Sequence, residues 1–342
     1  MRRRFLGIRE RRLASPHSRR FAFAYLPFIF IFSFPAFAQT QTVVAGVVAD
    51  SSIAAPVVAW NRIAPQGDML TLTLNGWTLG AERTHRIAPR ARLATSLSLT
   101  PLHAHGSDRV YIAGERNRQL EFDDAAVEAT FGRIDVIGER WTSDVRVVAL
   151  YEHVTGSPND DFWSSPYAGL RTRQAYRRIT AEDPLLMTFD GHEVSGEAEV
   201  FAGKHVWSRV RLHQRASVRR GRIRVGESAV AFYGSSINPV NAFLAGASWP
   251  AGDVHPLYGY RYAELRLDRG AGVTGDVSYA VRDSITVGAH ASILRSHSIE
   301  ARGIAADVSV AFKGIGMRLG VAKPREGDMV VYGSILVATF LR

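Results

Sequence analysis

The sequence predicts an all-β fold, an antiparallel sheet closed into a single barrel of about twelve strands, with fourteen as the second count. Three observations carry this expectation. After residue 38 the chain becomes a succession of short segments in which apolar and polar residues alternate. That period of two belongs to a strand whose faces meet unlike surroundings. Turn-forming residues separate the downstream segments, as in Arg219-Arg220-Gly221, Arg269-Gly270-Ala271-Gly272, Arg282-Asp283 and Pro324-Arg325-Glu326-Gly327-Asp328. An apolar leader precedes all of them.

The leader is the unbroken apolar run of residues 21–37, preceded by eight arginines and closed by Ala36-Phe37-Ala38. A basic start, an apolar middle and a small-x-small exit define a secretory signal peptide, with cleavage expected between Ala38 and Gln39. Pro27 and Pro35 argue against reading the same run as a permanent membrane helix. Ser18-Arg19-Arg20-Phe21 resembles a twin-arginine signal over those four residues only, so export through the general secretory route is expected. The predicted organisation is therefore a leader, 1–38, and one barrel domain, 39–342.

The leader also accounts for most of the charge. It carries eight Arg and one Glu, so only +3 of the formal +10 belongs to the remaining 304 residues. Without that excess a nucleic-acid partner loses its support. The absence of cysteine excludes disulfides and thiolate metal sites.

The clearest segment sets Val194, Gly196, Ala198, Val200 and Ala202 against Glu193, Ser195, Glu197 and Glu199. Residues 263–268 set Ala263, Leu265 and Leu267 against Glu264, Arg266 and Asp268. Val273, Val277, Tyr279 and Val281 face away from Thr274, Asp276 and Ser278; Ile285, Val287, Ala289, Ala291 and Ile293 face away from Thr286, His290 and Ser292. Ile304, Ala306, Val308, Val310 and Phe312 alternate with Asp307 and Ser309, and a last strand is expected from Val330 to Phe340. Upstream, less regular segments hold Leu70, Leu72 and Leu74; Leu93, Leu97 and Leu99; Val127, Ala129 and Phe131; and Val145, Val147, Ala149 and Tyr151. The stretch from Thr155 to His192 shows no clear alternation. It reads as a surface loop, a segment folded into the lumen, or a cover for one strand near Leu170 to Ile179.

An exported chain of this pattern resembles the β-barrels of the Gram-negative outer membrane. The resemblance is one of architecture and reaches no narrower family. It implies an even strand number, a place in the cell outer membrane, outer-membrane lipid around the barrel and the barrel-assembly machinery as a partner in biogenesis. Trp207, Trp249, Tyr258, Tyr260 and Tyr262 lie near expected strand ends and read as interfacial girdles. Such barrels usually finish on an aromatic, whereas here Leu341 and Arg342 follow Phe340. The rival fold is a periplasmic or secreted β-sandwich, whose strands alternate in the same way.

For function the sequence offers three classes: a porin-like pore or transport channel for small solutes, a structural or surface-exposed barrel without transport, and a lipid-active hydrolase. The last rests on His290 and Ser292, which share a strand face and look like the His-x-Ser element of outer-membrane phospholipases and lipid A deacylases. Those families place an Asn or acidic residue about a dozen positions on, where this chain has Gly303, Ile304 and Ala305, and their pair faces lipid while His290 sits on the polar face. The sequence thus argues against an enzyme. His103 and His105 form a second same-face pair without a third ligand at usable spacing, Asp160 and Asp161 lack calcium-ligand spacing, and no metal or cofactor is expected. The basic face of residues 205–215 reads as a polar lumen wall.

One register can be derived. With Gly203, Lys204 and His205 as a three-residue loop, glycine supplying a positive φ, facing residue numbers sum to 408. Glu199 then meets Arg209, Glu197 meets Arg211 and Glu193 meets Arg215. These six form an expected charge ladder along the lumen, while a two-residue loop would set arginine among the lipid-facing residues.

Overall fold

A computed structural model describes residues 40–341 apart from 51–53, 77, 101–110, 113–114, 117–122, 156–163, 184, 187, 238–240, 248–253, 262–263 and 298. The expected leader, His103 and His105, Asp160 and Asp161, Trp249 and Tyr262 lie outside the described residues.

Strands β1 (Thr40–Asp50), β2 (Ala54–Ile63), β3 (Met69–Asn75), β4 (Thr78–Ala88) and β5 (Ala91–Thr100) follow one another as hairpins. The short pair β6 (Tyr111–Ile112) and β7 (Glu115–Arg116) precedes β8 (Asp123–Ile137), β9 (Trp141–Thr155), β10 (Ser165–Asp183), β11 (Thr188–Ala202), β12 (Val206–Arg220) and β13 (Ile223–Ser235). A second short pair, β14 (Phe243–Ala245) and β15 (Leu265–Leu267), leads to β16 (Arg269–Arg282), β17 (Ile285–Arg295), β18 (Glu300–Phe312), β19 (Ile315–Pro324) and β20 (Val330–Leu341). Leaving out the two short pairs, sixteen strands form one closed antiparallel barrel, sealed where β1 pairs with β20.

The barrel has sixteen strands rather than the expected twelve or fourteen, because several strands hide their alternation. β10, which fills most of the unassigned stretch from Thr155 to His192, carries polar residues on its outer face, where Gln174 Nε2 donates to Ser143 Oγ at 2.8 Å. β13 is apolar on both faces over residues 229–233, since inward Val230 and Phe232 meet a segment folded into the lumen. β19 alternates Ile315, Met317, Leu319 and Val321 with Gly316, Arg318, Gly320 and Ala322, so that small residues stand where polar ones announce a strand. Residues 263–268 make the opposite error. Their alternation belongs to β15, which pairs with β14 and contributes no barrel strand.

Inward and outward positions are cleanly divided. In β18, Ala301, Gly303, Ala305, Asp307 and Ser309 are buried while Ile304 and Val308 are exposed. The outer face is a band of Leu, Val, Ile and Phe, among them Leu97, Val147, Leu212, Ile304 and Leu319, which is the surface a lipid-solvated barrel presents. Outward aromatics sit toward both rims: Trp141, packed edge-on against Tyr176, and Phe312 near one end, Tyr151 and Tyr233 near the other. These are not the aromatics named from the sequence. Trp207 and Tyr258 are buried inside, Trp207 stacked on Phe201 with ring centroids 4.4 Å apart.

The two ends of the barrel differ. At the near end, where β1 begins and β20 finishes, every connection is two to five residues long. The far end carries the long connections, including the 33 residues between β13 and β16.

Candidate functional site

The site is the lumen and what fills it. The described residues of 236–268, between β13 and β16, fold back into the barrel: Phe243, Ala245, Leu257 and Leu267 pack against Val230, Phe232, Leu294 and Ala301 of the wall, and Tyr258 and Ala247 pack against Val48, Ala305, Ala322 and Tyr332. Small wall residues make this possible. A Cβ on Gly303 would lie 1.6 Å from the Tyr258 carbonyl oxygen, and one on Gly272 would lie 2.7 Å from His255 Nε2. Here glycine is required by close approach, not by an unusual φ. Polar contacts hold the segment as well. The Tyr258 amide donates to Ser292 Oγ at 2.9 Å, its hydroxyl donates to Asp276 at 2.9 Å, and Asn241 Nδ2 donates to Glu152 at 3.2 Å.

Burial pushes the His255 imidazole down to about 4 from 6.5, with His213 and Arg211 adding repulsion. Burial and the facing Asp276 carboxylate hold the Tyr258 phenol well above its ordinary range, so it remains a donor.

The wall formed by β10, β11 and β12 carries the charge. β11 and β12 pair with Glu199 opposite Arg209, Glu197 opposite Arg211 and Glu193 opposite Arg215. Arg215 Nη2 donates to Glu193 at 2.7 Å, Arg211 Nη2 donates to Glu197 at 3.1 Å, and Arg209 Nε donates to Glu199. Gly203 has no positive φ; a Cβ there would strike the Pro166 carbonyl oxygen at 2.4 Å, so β10 is what requires it.

β10 also supplies a row of cations that the sequence reading missed, placing Arg171, Arg173 and Arg177 opposite the same three glutamates. Arg171 binds Glu199 and, through both terminal nitrogens, Glu128 at 2.8 Å each, while Arg177 reaches Glu193 at 3.2 Å. Glu199, 4% exposed, therefore lies between two guanidinium groups. The signal was the spacing Arg171-x-Arg173 with Arg177, masked by the polar outer face of β10.

His290 and Ser292 both face inward but are committed to different partners. His290 bridges two carboxylates, with Nδ1 2.7 Å from Asp276 and Nε2 3.0 Å from Asp307, and Tyr332 donates to Asp307 at 3.1 Å. Ser292 is engaged by the Tyr258 amide instead. The imidazole does not activate the hydroxyl, and the cluster anchors the in-folded segment. Among the described residues no three His, Asp or Glu side chains are grouped to hold a metal ion.

Beneath the segment a cavity of about 550 Å³ remains, bounded by Phe243, His255 and Tyr258 and by the charged wall at Arg173, Arg211 and Arg215. That volume suits one small molecule.

A closed sixteen-stranded antiparallel barrel with an apolar outer band and a polar, occupied lumen is of the outer-membrane class. Solved structures agree at the level of fold. CdiB from Acinetobacter baumannii is similar with a TM-score of 0.60 at 10% identity, over 89% of this chain and 60% of that one. BamA from Haemophilus ducreyi, lacking POTRA domains 1–3, is similar with a TM-score of 0.65 at 8% identity, over 89% and 70%. CdiB from Escherichia coli has a TM-score of 0.56 at 12% identity, over 90% and 64%. The chain thus spans less than two thirds of either CdiB. No protein-family model matches the sequence, and no curated protein matches it.

Proposed function

We propose that the chain is an outer-membrane transport barrel, a porin-like pore for small solutes whose resting lumen is stoppered by residues 236–268. The observation that carries this reading is the stopper itself. A barrel of sixteen strands is wide enough for an aqueous channel, and this one fills its far half with a connection rather than with wall side chains, leaving a charged cavity below. In this reading the end with short connections faces the periplasm, as short turns do in barrels of this kind, and the stopper enters from outside. Outer-membrane lipid then surrounds the apolar band, and the barrel-assembly machinery inserts the exported chain.

The test is efflux of graded small solutes from liposomes holding the refolded barrel. In a second preparation residues 242–266 are replaced by a short Gly-Ser linker and Arg318→Ala releases the Leu186 carbonyl that crosses the near end of the lumen. Faster efflux from the shortened barrel supports the pore; equal, background efflux from both removes it. The second reading, a closed structural barrel, is favoured by the contact between opposite charges along β10, β11 and β12, and equal background efflux would promote it.

A further inference from the structure

The near end of the lumen is also crossed. β10 and β11 run beyond their neighbours as a hairpin whose tip, the described residues of 180–190, departs from the wall. Pairing slips between Ile179 and Ala181, leaving Thr180 as an extra residue opposite Gly191 and Asp190. A bulge of this kind bends a strand pair sharply. Gly191 has a φ of +134°, and a Cβ there would lie 2.2 Å from the Arg178 carbonyl oxygen, so no other residue fits the bend without strain.

The bend carries the tip across the barrel. Arg318 Nη2 of β19 donates to the Leu186 carbonyl at 2.8 Å, and a Cβ on Gly316 of β19 would lie 2.8 Å from Leu185 Cβ. Between β11 and β19 stand five barrel strands in one direction, and between β10 and β19 eight in the other, so the contact spans the lumen rather than a neighbouring hairpin. Two further anchors lie on the way. Arg224 Nε of β13 binds Asp190 at 3.0 Å, and the Arg215 guanidinium of β12 sits 4.4 Å from the Phe189 ring centroid. Asp183 Oδ1 accepts from the Leu185 and Leu186 amides at 3.0 and 3.2 Å, which keeps the tip compact.

We infer that residues 180–190 are a second gate, closing the lumen at the near end, hinged at Gly191 and latched to the wall through Arg318 and Arg224. The cavity lies between the two segments, lined by Phe243, His255 and Tyr258 on one side, Leu186 and Phe189 on the other, and charged strands around it. The latch suits a device that opens. It consists of one hydrogen bond to a backbone carbonyl, one ion pair and one cation–ring contact, each modest beside a packed apolar interface. The gate rests on the pore reading for what would pass through it, but its closure can be read without any transport.

Because the chain has no cysteine, two thiol measurements on the full-length barrel suffice. The double variant Leu185→Cys with Gly316→Cys is expected to form a disulfide under mild oxidation; no cross-link would place the tip elsewhere and overturn the inference. A reporter, Ser195→Cys, lies on the cavity wall and is buried. A bulky maleimide is expected to label it slowly in the parent and at least tenfold faster when Arg318→Ala is added. Asp190→Asn, whose change lies in the tip and spares the wall, is expected to act in the same direction. Heat-dependent gel mobility verifies that each variant is folded. Labelling at the parental rate in both folded variants would overturn the gate. Background efflux from a barrel that is shortened at residues 242–266 and carries Arg318→Ala, with these labelling differences intact, would instead count against the pore.

Discussion

The two walls of the lumen solve the same packing problem in opposite ways. Along β10, β11 and β12 the interior is filled by the wall itself, with glutamates clasped between arginines from both neighbouring strands. Along β16 to β20 and β1 the wall carries many small residues, among them Gly272, Ser292, Ala301, Gly303, Ala305 and Ala322, around the cluster of Asp276, His290 and Asp307, and the interior is filled by the described residues of a distant segment, 236–268. The difference teaches which part of the barrel can move. Removing the in-folded segment leaves small and apolar wall residues facing water, whereas removing one member of the charged wall leaves buried charges facing each other.

The comparison is broken most severely at Glu199. Replacing it with alanine leaves Arg171 and Arg209 without their shared carboxylate in a site that is almost fully buried, and loss of one partner of a buried pair costs about 3–5 kcal/mol. The Glu199→Ala barrel is expected to lose its heat-resistant gel form at a clearly lower temperature than wild type. Glu197→Arg, which sets a cation between Arg173 and Arg211, is expected to assemble with reduced heat resistance. A variant as resistant as wild type would show that the ladder does not brace the wall.

At the other wall, Gly303→Val is expected to act on the segment and spare the barrel. The new side chain would occupy the position of the Tyr258 carbonyl, so the heat-modifiable form should persist while limited proteolysis within residues 236–268 accelerates. Equal cleavage rates would mean that the segment is not held there.

Mild acid sharpens the contrast by a smaller amount. The His255 value of about 4 when buried and 6.5 when released means that the seated segment binds fewer protons between those values. The His255 contribution to its seating is therefore fully present at neutral pH and is lost as pH falls below 6.5. From pH 7 to 5.5 this amounts to roughly 1 kcal/mol, a several-fold rise in proteolytic cleavage of the segment that a His255→Phe variant should lack.

The smallest expected effect is none. His290→Ala together with Ser292→Ala should change no lipid-hydrolysing activity, because the imidazole is held by Asp276 and Asp307 and the hydroxyl by Tyr258. Phospholipase or deacylase activity in wild type, abolished by either change, would contradict this.

Legibility in the sequence followed the same division. Where the inward face keeps polar side chains opposite an apolar outer face, as with Glu193, Glu197 and Glu199 in β11, Thr274 and Asp276 in β16, His290 and Ser292 in β17 and Asp307 and Ser309 in β18, alternation shows the strand and its faces directly. Where the inward face touches the in-folded segment, the wall residues are small or apolar, and β1, β13 and β19 lose the contrast that announces a strand. β10 was hidden for the reverse reason, its outer Thr172 and Gln174 being polar, and with it went the second row of arginines. Nor could local pattern show that residues 236–268 enter the lumen. Their contacts with β17, β18 and β20 are long-range, and the glycines that admit them, Gly272 and Gly303, look in sequence like ordinary small residues of a strand.

Single-channel recording in planar bilayers tests the central claim most directly, with wild type and a barrel that is shortened at residues 242–266 and carries Arg318→Ala measured side by side at neutral pH. The account predicts that wild type is closed or rarely conducting and that the shortened barrel shows larger and more frequent openings. Indistinguishable traces from the two, whether both silent or both fully open, would contradict it.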